Sequence, residues 1–204
     1  MLNAETPRRK FALYGAHSSL GNALLCELLS RQHEAVALVD DLNSMTVRPG
    51  LRAKTGDLFD ATSVAQSVAG MDAVICLFDS PTLASAAPSE MVEQQPHGFY
   101  QAVEALLSGL PQVGVDRLLL VADLSAIAHD PEVAAALQHI AVDPLRWTLV
   151  DAEAGGTDLS IEDFSVLDGL ARDDRRVILR RLAAGIVDEL DNPQHLHEQI
   201  HFRR

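Results

Sequence analysis

Aromatic side chains are scarce in this chain: Phe, Trp and Tyr together make up 4% of its 204 residues. A core must therefore be assembled from aliphatic residues, and a hydrophobic fraction of 48% supplies them. Only two cysteines occur, Cys26 and Cys76, each inside an apolar run, so neither a disulfide framework nor a metal knuckle is available. Positive charge is also short: 16 Lys and Arg stand against 29 Asp and Glu, a formal net charge of −13. That balance, with no basic block, argues against nucleic acid and against anionic membrane surfaces as partners. No apolar run approaches membrane-spanning length, and the polar residues 1–10 are not followed by the apolar stretch of a secretory signal. A cytoplasmic protein is the expectation, and the length suits one domain over residues 1–204.

What is present is an alternation of two periodicities. "KFALYGAHSSLG" (10–21) is an apolar run ending in glycine and a turn, after which Leu20, Leu24, Leu25, Leu28 and Leu29 recur at helical spacing. "EAVALVD" (34–40) is an apolar run of strand length closing on an acid. A strand, a helix and a second strand in so short a stretch make the two strands parallel. Further strands are predicted at 51–57, 71–78, 115–123 and 145–152, and helices at 61–68, 98–110 and 131–140, with Pro111 stopping the third helix. Residues 180–190 are again helical in pattern, and 196–202 alternate like an edge strand. Residues 79–96, containing Pro81, Pro88 and Pro96, read as a long loop, and 155–176 as a mixed charged segment. The expected fold class is α/β: a doubly wound, Rossmann-like parallel sheet with helices on both faces, finished by a short C-terminal helix and edge strand. Such an edge is open to cover by a partner chain, so a homodimer is one expectation.

The glycine-rich turn is the strongest functional signal. In a dinucleotide fold the first strand turns sharply into the first helix, and the free amides of the helix start meet the pyrophosphate. Here the turn runs Gly15, Ala16, His17, Ser18, Ser19, Leu20, Gly21. Gly15 supplies the tight turn and Gly21 the close packing of helix on strand. Ser18 occupies the middle position, where a glycine lets backbone approach phosphate. Its hydroxyl has two uses: donating to a phosphate, or capping the helix with nothing bound. Asp40 ends the second strand, where a carboxylate accepts from the adenosine ribose and repels a 2′-phosphate, so NAD is favoured over NADP. Arg48 and Arg52 follow closely enough to clamp such a phosphate instead. Asp57, with Leu58 beside it, comes after the third strand; it is placed either to accept from the adenine amino group or to cap the helix that begins near Asp60. With Phe78 at the end of the fourth strand, these residues are the expected contacts of an NAD(P) cofactor.

At this point the blocks "ALYGAHSSLGNALLCELLSRQHEAVALVDD" and "GDLFDATSVAQSVAGMDAVICLF" resemble the atypical short-chain dehydrogenase/reductase-like NAD(P)-binding proteins, among them the NAD(P)H:flavin (biliverdin) reductase-like group. "GVDRLLLVADLSAI", "LRWTLVDA" and "RRLAAGIVDELDNPQHLHEQIHF" resemble that family's later blocks. The resemblance implies an oxidoreductase-like role, with the nicotinamide near residues 122–125. The family usually has threonine and glycine where this chain has His17 and Ser18, and often an arginine where it has Asp40.

Short-chain dehydrogenases commonly ionise a tyrosine with a lysine four residues on. Tyr14 and Tyr100 are followed at that spacing by Ser18 and Glu104, and lysine occurs only as Lys10 and Lys54. Carbonyl reduction by such a pair is therefore excluded, and so is an epimerase built on it. Hydride transfer to a flavin or quinone depends more on stacking two rings than on an acid. A reductase acting on a small-molecule acceptor is the first reading; a non-catalytic NAD(P)-binding sensor or interaction protein is the second. Ser125 and His129 are the candidate catalytic groups, and Phe78, residues 79–98 and residues 123–125 the candidate lining. His195, His197 and His201 would share one face of a strand, but no fourth ligand accompanies them, so no metal is expected. No serine has the flanking glycines of a hydrolase elbow.

Overall fold

The computed structural model describes residues 8–46, 48–78, 98–127, 129–165 and 174–202. The alternation of periodicities becomes seven strands in one sheet: β1 (Lys10–Tyr14), β2 (Glu34–Val39), β3 (Leu51–Thr55), β4 (Ala73–Leu77), β5 (Arg117–Ala122), β6 (Arg146–Asp151) and β7 (Glu198–His201). Their spatial order is β3-β2-β1-β4-β5-β6-β7, and every neighbouring pair is parallel. This is the doubly wound Rossmann-like arrangement, in which chain direction across the sheet reverses between β1 and β4 and opens a crevice at their carboxyl ends. Parallel strands buried on both faces are apolar for most of their length; β4 and β5 are buried at every position, and Arg117 at the start of β5 is the one charged exception.

Among the described residues, six helices cover the sheet. α1 (Ser19–Ser30) and α6 (Arg175–Asp191) pack on one face; α2 (Ala61–Val68), α3 (Phe99–Gln112) and α5 (Pro131–Val142) pack on the other; α4 (Leu124–Ile127) is one short turn after β5. Leu, Val, Ile and Ala dominate both layers, as the aromatic scarcity requires. No helix among the described residues is long and apolar enough to cross a membrane.

Three expectations need correction. Pro111 does not stop α3, which continues to Gln112. A proline in the last turn forfeits only its own bond, and the chain then closes through Val113 N–H to Leu110 O and Gly114 N–H to Pro111 O. α6 begins at Arg175, ahead of the expected start at residue 180, because Asp174 caps it there by accepting from the Arg176 amide. The tail histidines do not share a strand face: β7 starts only at Glu198, and His197 adopts φ +62°, which breaks the alternation ahead of it. The expected loop at 79–96 lies outside the described residues.

One buried ion pair ties α6 and β7 to the sheet. Arg117, on β5, donates to Thr148 Oγ1 on β6 (2.9 Å) and to Glu189 Oε1 on α6 (3.3 Å). Glu189 also accepts from the amides of Gln194 and His195 and bonds His195 Nδ1 at 2.9 Å, which fixes the path from α6 into β7. Burial lowers the Arg117 guanidinium to about 10, against the opposing pull of Glu189, so it stays charged at neutral pH. Burial pushes the Glu189 carboxyl up, but the bonds from His195, Gln194 and Arg117 outweigh it and hold the group below its ordinary value. Arg117→Met, which strands the Glu189 charge, is expected to cost about 3 kcal/mol in urea unfolding. The stabilisation from Glu189 is complete above the ordinary glutamate range and is lost as pH falls through its lowered value. Glu189→Gln should therefore flatten the acid limb of stability, read as urea midpoints between neutral pH and about pH 3.

Candidate functional site

The glycine turn lies at the crevice between β1 and β4. Gly15 adopts φ +78°, and a Cβ there would come within 2.7 Å of Leu77 on β4, so both conformation and space require glycine. Gly21 is required for a related reason: a Cβ would meet Gly15 O at 2.4 Å, so it permits close packing of helix on turn. Ser18 is the N-cap of α1. Its Oγ accepts from the Gly21 amide (2.9 Å) and donates to Gly15 O (2.8 Å), which commits the hydroxyl to capping.

The next two amides of the helix start are also engaged, by the chain itself. Ser19 N–H donates to Gly156 O at 2.6 Å and Leu20 N–H to Ala154 O at 2.9 Å. The segment after β6 thus crosses the carboxyl edge of the sheet and sets two carbonyl oxygens where a dinucleotide fold holds phosphate oxygens. It reaches that position through consecutive left-handed residues, Gly155 (φ +79°) and Gly156 (φ +69°). Asp158 adds a negative charge at the same helix end: its carboxylate accepts from Ser19 Oγ (3.3 Å) and from Arg175 Nη1 (2.7 Å). Arg175 holds that carboxyl below the usual range. Asn22 Nδ2 donates to Leu159 O (3.1 Å), so the segment is pinned on both sides of the contact.

The remaining predicted contacts fall at the same edge in different states. Asp40 is exposed at the end of β2. His17 reaches from the turn toward the residues after β2, its Nε2 3.0 Å from Ser44 Oγ in the 3-10 turn Leu42–Ser44. Arg48 is paired with Glu162, whereas Arg52 is exposed. Asp57 accepts from the Phe59 amide (2.8 Å) and Asp60 caps α2; Leu58 is half-buried against the α2–α3 side. Phe78 is buried with its ring 4.6 Å from that of Phe99, so it serves the core. Tyr14 is buried, its hydroxyl bonds Ser67 Oγ at 2.9 Å, and burial pushes that hydroxyl far above its ordinary value.

At the other end of the edge, Ser125 belongs to a cluster that sequence spacing alone did not assemble. Its Oγ donates to Asp151 Oδ2 (2.7 Å), its amide approaches Oδ1 (3.2 Å), and His201 Nδ1 lies 2.8 Å from the same Oδ2. Burial works to raise the Asp151 carboxyl, but the bonds from Ser125 and His201 prevail and keep it ionised below its ordinary range. His129 stands exposed on the turn between α4 and α5. His195 binds Glu189 and His197 stacks on Trp147 at 5.6 Å, so the three tail histidines serve three separate partners.

A family model described as NAD(P)H-binding matches residues 15–193, from the glycine turn to the end of α6. This chain belongs to the NAD(P)H-binding family. Among solved structures, a Rossmann-fold NAD(P)-binding family protein from Shigella flexneri is 14% identical with a TM-score of 0.66, over 97% of this chain and 94% of that one. A Streptococcus pneumoniae protein described as a candidate NADH-flavin reductase is 20% identical, with a TM-score of 0.57 over 95% and 98% of the two chains. A short-chain dehydrogenase/reductase from Veillonella parvula, in complex with NADP, is 10% identical with a TM-score of 0.62, over 96% and 94%. At these identities the likeness is one of fold. In this member of the NAD(P)H-binding family, carbonyls of its own chain sit on the Ser19 and Leu20 amides of α1. Hydrogen exchange at the Ser19 and Leu20 amides is expected to be slow in the wild type and at least about tenfold faster in Gly156→Val, which cannot hold the left-handed turn easily. Equal rates in the two proteins would mean that other acceptors protect these amides.

Proposed function

We propose that this NAD(P)H-binding family member binds NAD in preference to NADP and is an oxidoreductase-like protein that reduces a flavin, quinone or other small aromatic acceptor. The observation that carries the reading is the aim of the α1 amides. Two oxygen atoms already sit at 2.6 and 2.9 Å from Ser19 N and Leu20 N, at the crevice between β1 and β4. These carbonyl oxygens stand in for phosphate oxygens, so the helix start fits a pyrophosphate once residues 154–158 withdraw. Asp40, exposed at the end of β2 with Arg48 drawn off to Glu162, supports a ribose carrying free hydroxyls over a 2′-phosphate. A bound nicotinamide supplies a hydride, and the residues here bind, orient and exclude water around it. The absence of a Tyr/Lys pair and the buried Tyr14 favour acceptors whose reduction needs little acid catalysis. A reducing compartment such as the cytoplasm suits the two free thiols.

The same latch favours a second reading, a nucleotide sensor without turnover. Displacing residues 154–158 breaks the Asp158–Arg175 and Asn22–Leu159 contacts, so binding would be signalled along the α1–α6 face. Calorimetric titration separates the outcomes. NADH is expected to bind the wild type more tightly than NADPH, and Gly156→Val is expected to tighten NADH by about tenfold, because less of the protein is then held in the closed form. NADH oxidation with FMN or menadione supports the reductase, and binding without it the sensor. No heat from either nucleotide, with either protein, would sink the cofactor assignment.

A further inference from the structure

We infer that His201, held by Asp151 and Ser125, is the proton donor to the reduced acceptor. The inference rests on the reductase reading above. The three residues come from separate elements, α4, β6 and β7, yet meet at one carboxylate at the carboxyl edge of the sheet. Because all seven strands are parallel, this edge is also the edge that carries the glycine turn. β7 is four strand spacings from β1 in the sheet order, roughly 19 Å at about 4.8 Å per spacing. The nicotinamide half of a cofactor and one acceptor ring would have to bridge that span, once residues 154–158 withdraw from the α1 amides.

The local chemistry fixes which nitrogen is available. Asp151 is nearly buried and accepts from the Ser125 hydroxyl and amide as well as from His201. An ionised carboxylate can only accept, so His201 Nδ1 must be the donor in this pair. Nε2 is then the atom that exchanges protons, on a side chain 62% exposed. β6 faces it with Asp151, and α4 faces it with the neutral Ser125 hydroxyl. Asp123, before α4, spends Oδ1 on the Ala126 amide (3.0 Å), and Glu198 projects to the opposite face of β7. With a quinone, hydride addition gives a hydroquinone anion. In its imidazolium form, His201 gives the Nε2 proton to that oxygen to complete the hydroquinone, is left neutral with its proton on Nδ1 toward Asp151, and regains a proton at Nε2 from solvent. Two electrons and one hydrogen nucleus arrive as hydride and one proton from His201, which balances oxidation of the nicotinamide. Asp151 and Ser125 are positioning residues for this step.

The test uses the full chain with NADH and menadione. His201→Ala and His201→Gln are expected to lower kcat by about 100-fold, within the range of general acid catalysis, with the NADH Kd unchanged in calorimetry. The kcat–pH profile of both variants is expected to differ from that of the wild type, and added imidazole should restore part of the His201→Ala rate. Nitrogen NMR of the wild type offers a readout apart from turnover: neutral His201 should carry its proton on Nδ1, and Asp151→Ala should shift it toward Nε2. Wild-type turnover that persists at the same rate and with the same pH profile in His201→Ala would overturn the inference and leave the reductase reading standing. A wild type that binds NADH yet never reduces menadione, FMN or a related quinone would overturn both.

Discussion

A helix must satisfy its first amides from outside its own hydrogen-bond ladder, and in this protein the start of α1 is where that requirement shapes the most structure. Ser18 takes the Gly21 amide, while Gly156 and Ala154 take those of Ser19 and Leu20. To deliver those carbonyls, the chain leaving β6 must cross the sheet edge, turn twice through left-handed glycines and bring Asp158 and Arg175 with it. Arg175 lies in the first turn of α6, and α6 in turn carries Glu189 to Arg117 and leads into β7. An N-terminal amide pair is thus linked through one loop to the far edge of the sheet.

The two ends of the carboxyl edge handle charge in opposite ways. At α1 the positive end of the helix attracts oxygen, and the protein answers with carbonyls and the Asp158 carboxylate. At β5–β7 the charge is a carboxylate, and the protein answers with a hydroxyl, an amide and an imidazole. Parallel strand order brings both solutions to one side of the molecule. A phosphate-seeking end and a proton-exchanging end on a shared edge are what hydride transfer to a small acceptor would use, provided that the segment covering α1 yields.

The alternation of strands and helices was legible because its periods differ and its apolar runs are long. The glycine turn was legible because Gly15 and Gly21 leave room that no other residue would. Ser18 was open between two uses because an N-cap and a phosphate donor look alike until the partner of the hydroxyl is known. Nothing in the spacing of Ser125, Asp151 and His201 marks them as neighbours; only the register of β6 against β7 brings Asp151 beside His201. The tail histidines misled for the reverse reason. Their odd positions suggest a shared face, but a single left-handed residue at His197 ends the strand geometry that the pattern assumes.

By itself, the sequence determined the fold class, the place of the dinucleotide turn and the lack of a Tyr/Lys pair, because each depends on local pattern or on residues being absent. Tertiary structure decided what the helix amides, the Arg48 guanidinium and the Asp151 carboxylate are bonded to. Those partners lie far apart along the chain, Leu20 with Ala154 and Asp151 with His201. Hydrogen bonds are satisfied by proximity in space, and it is loop path and strand register that create that proximity.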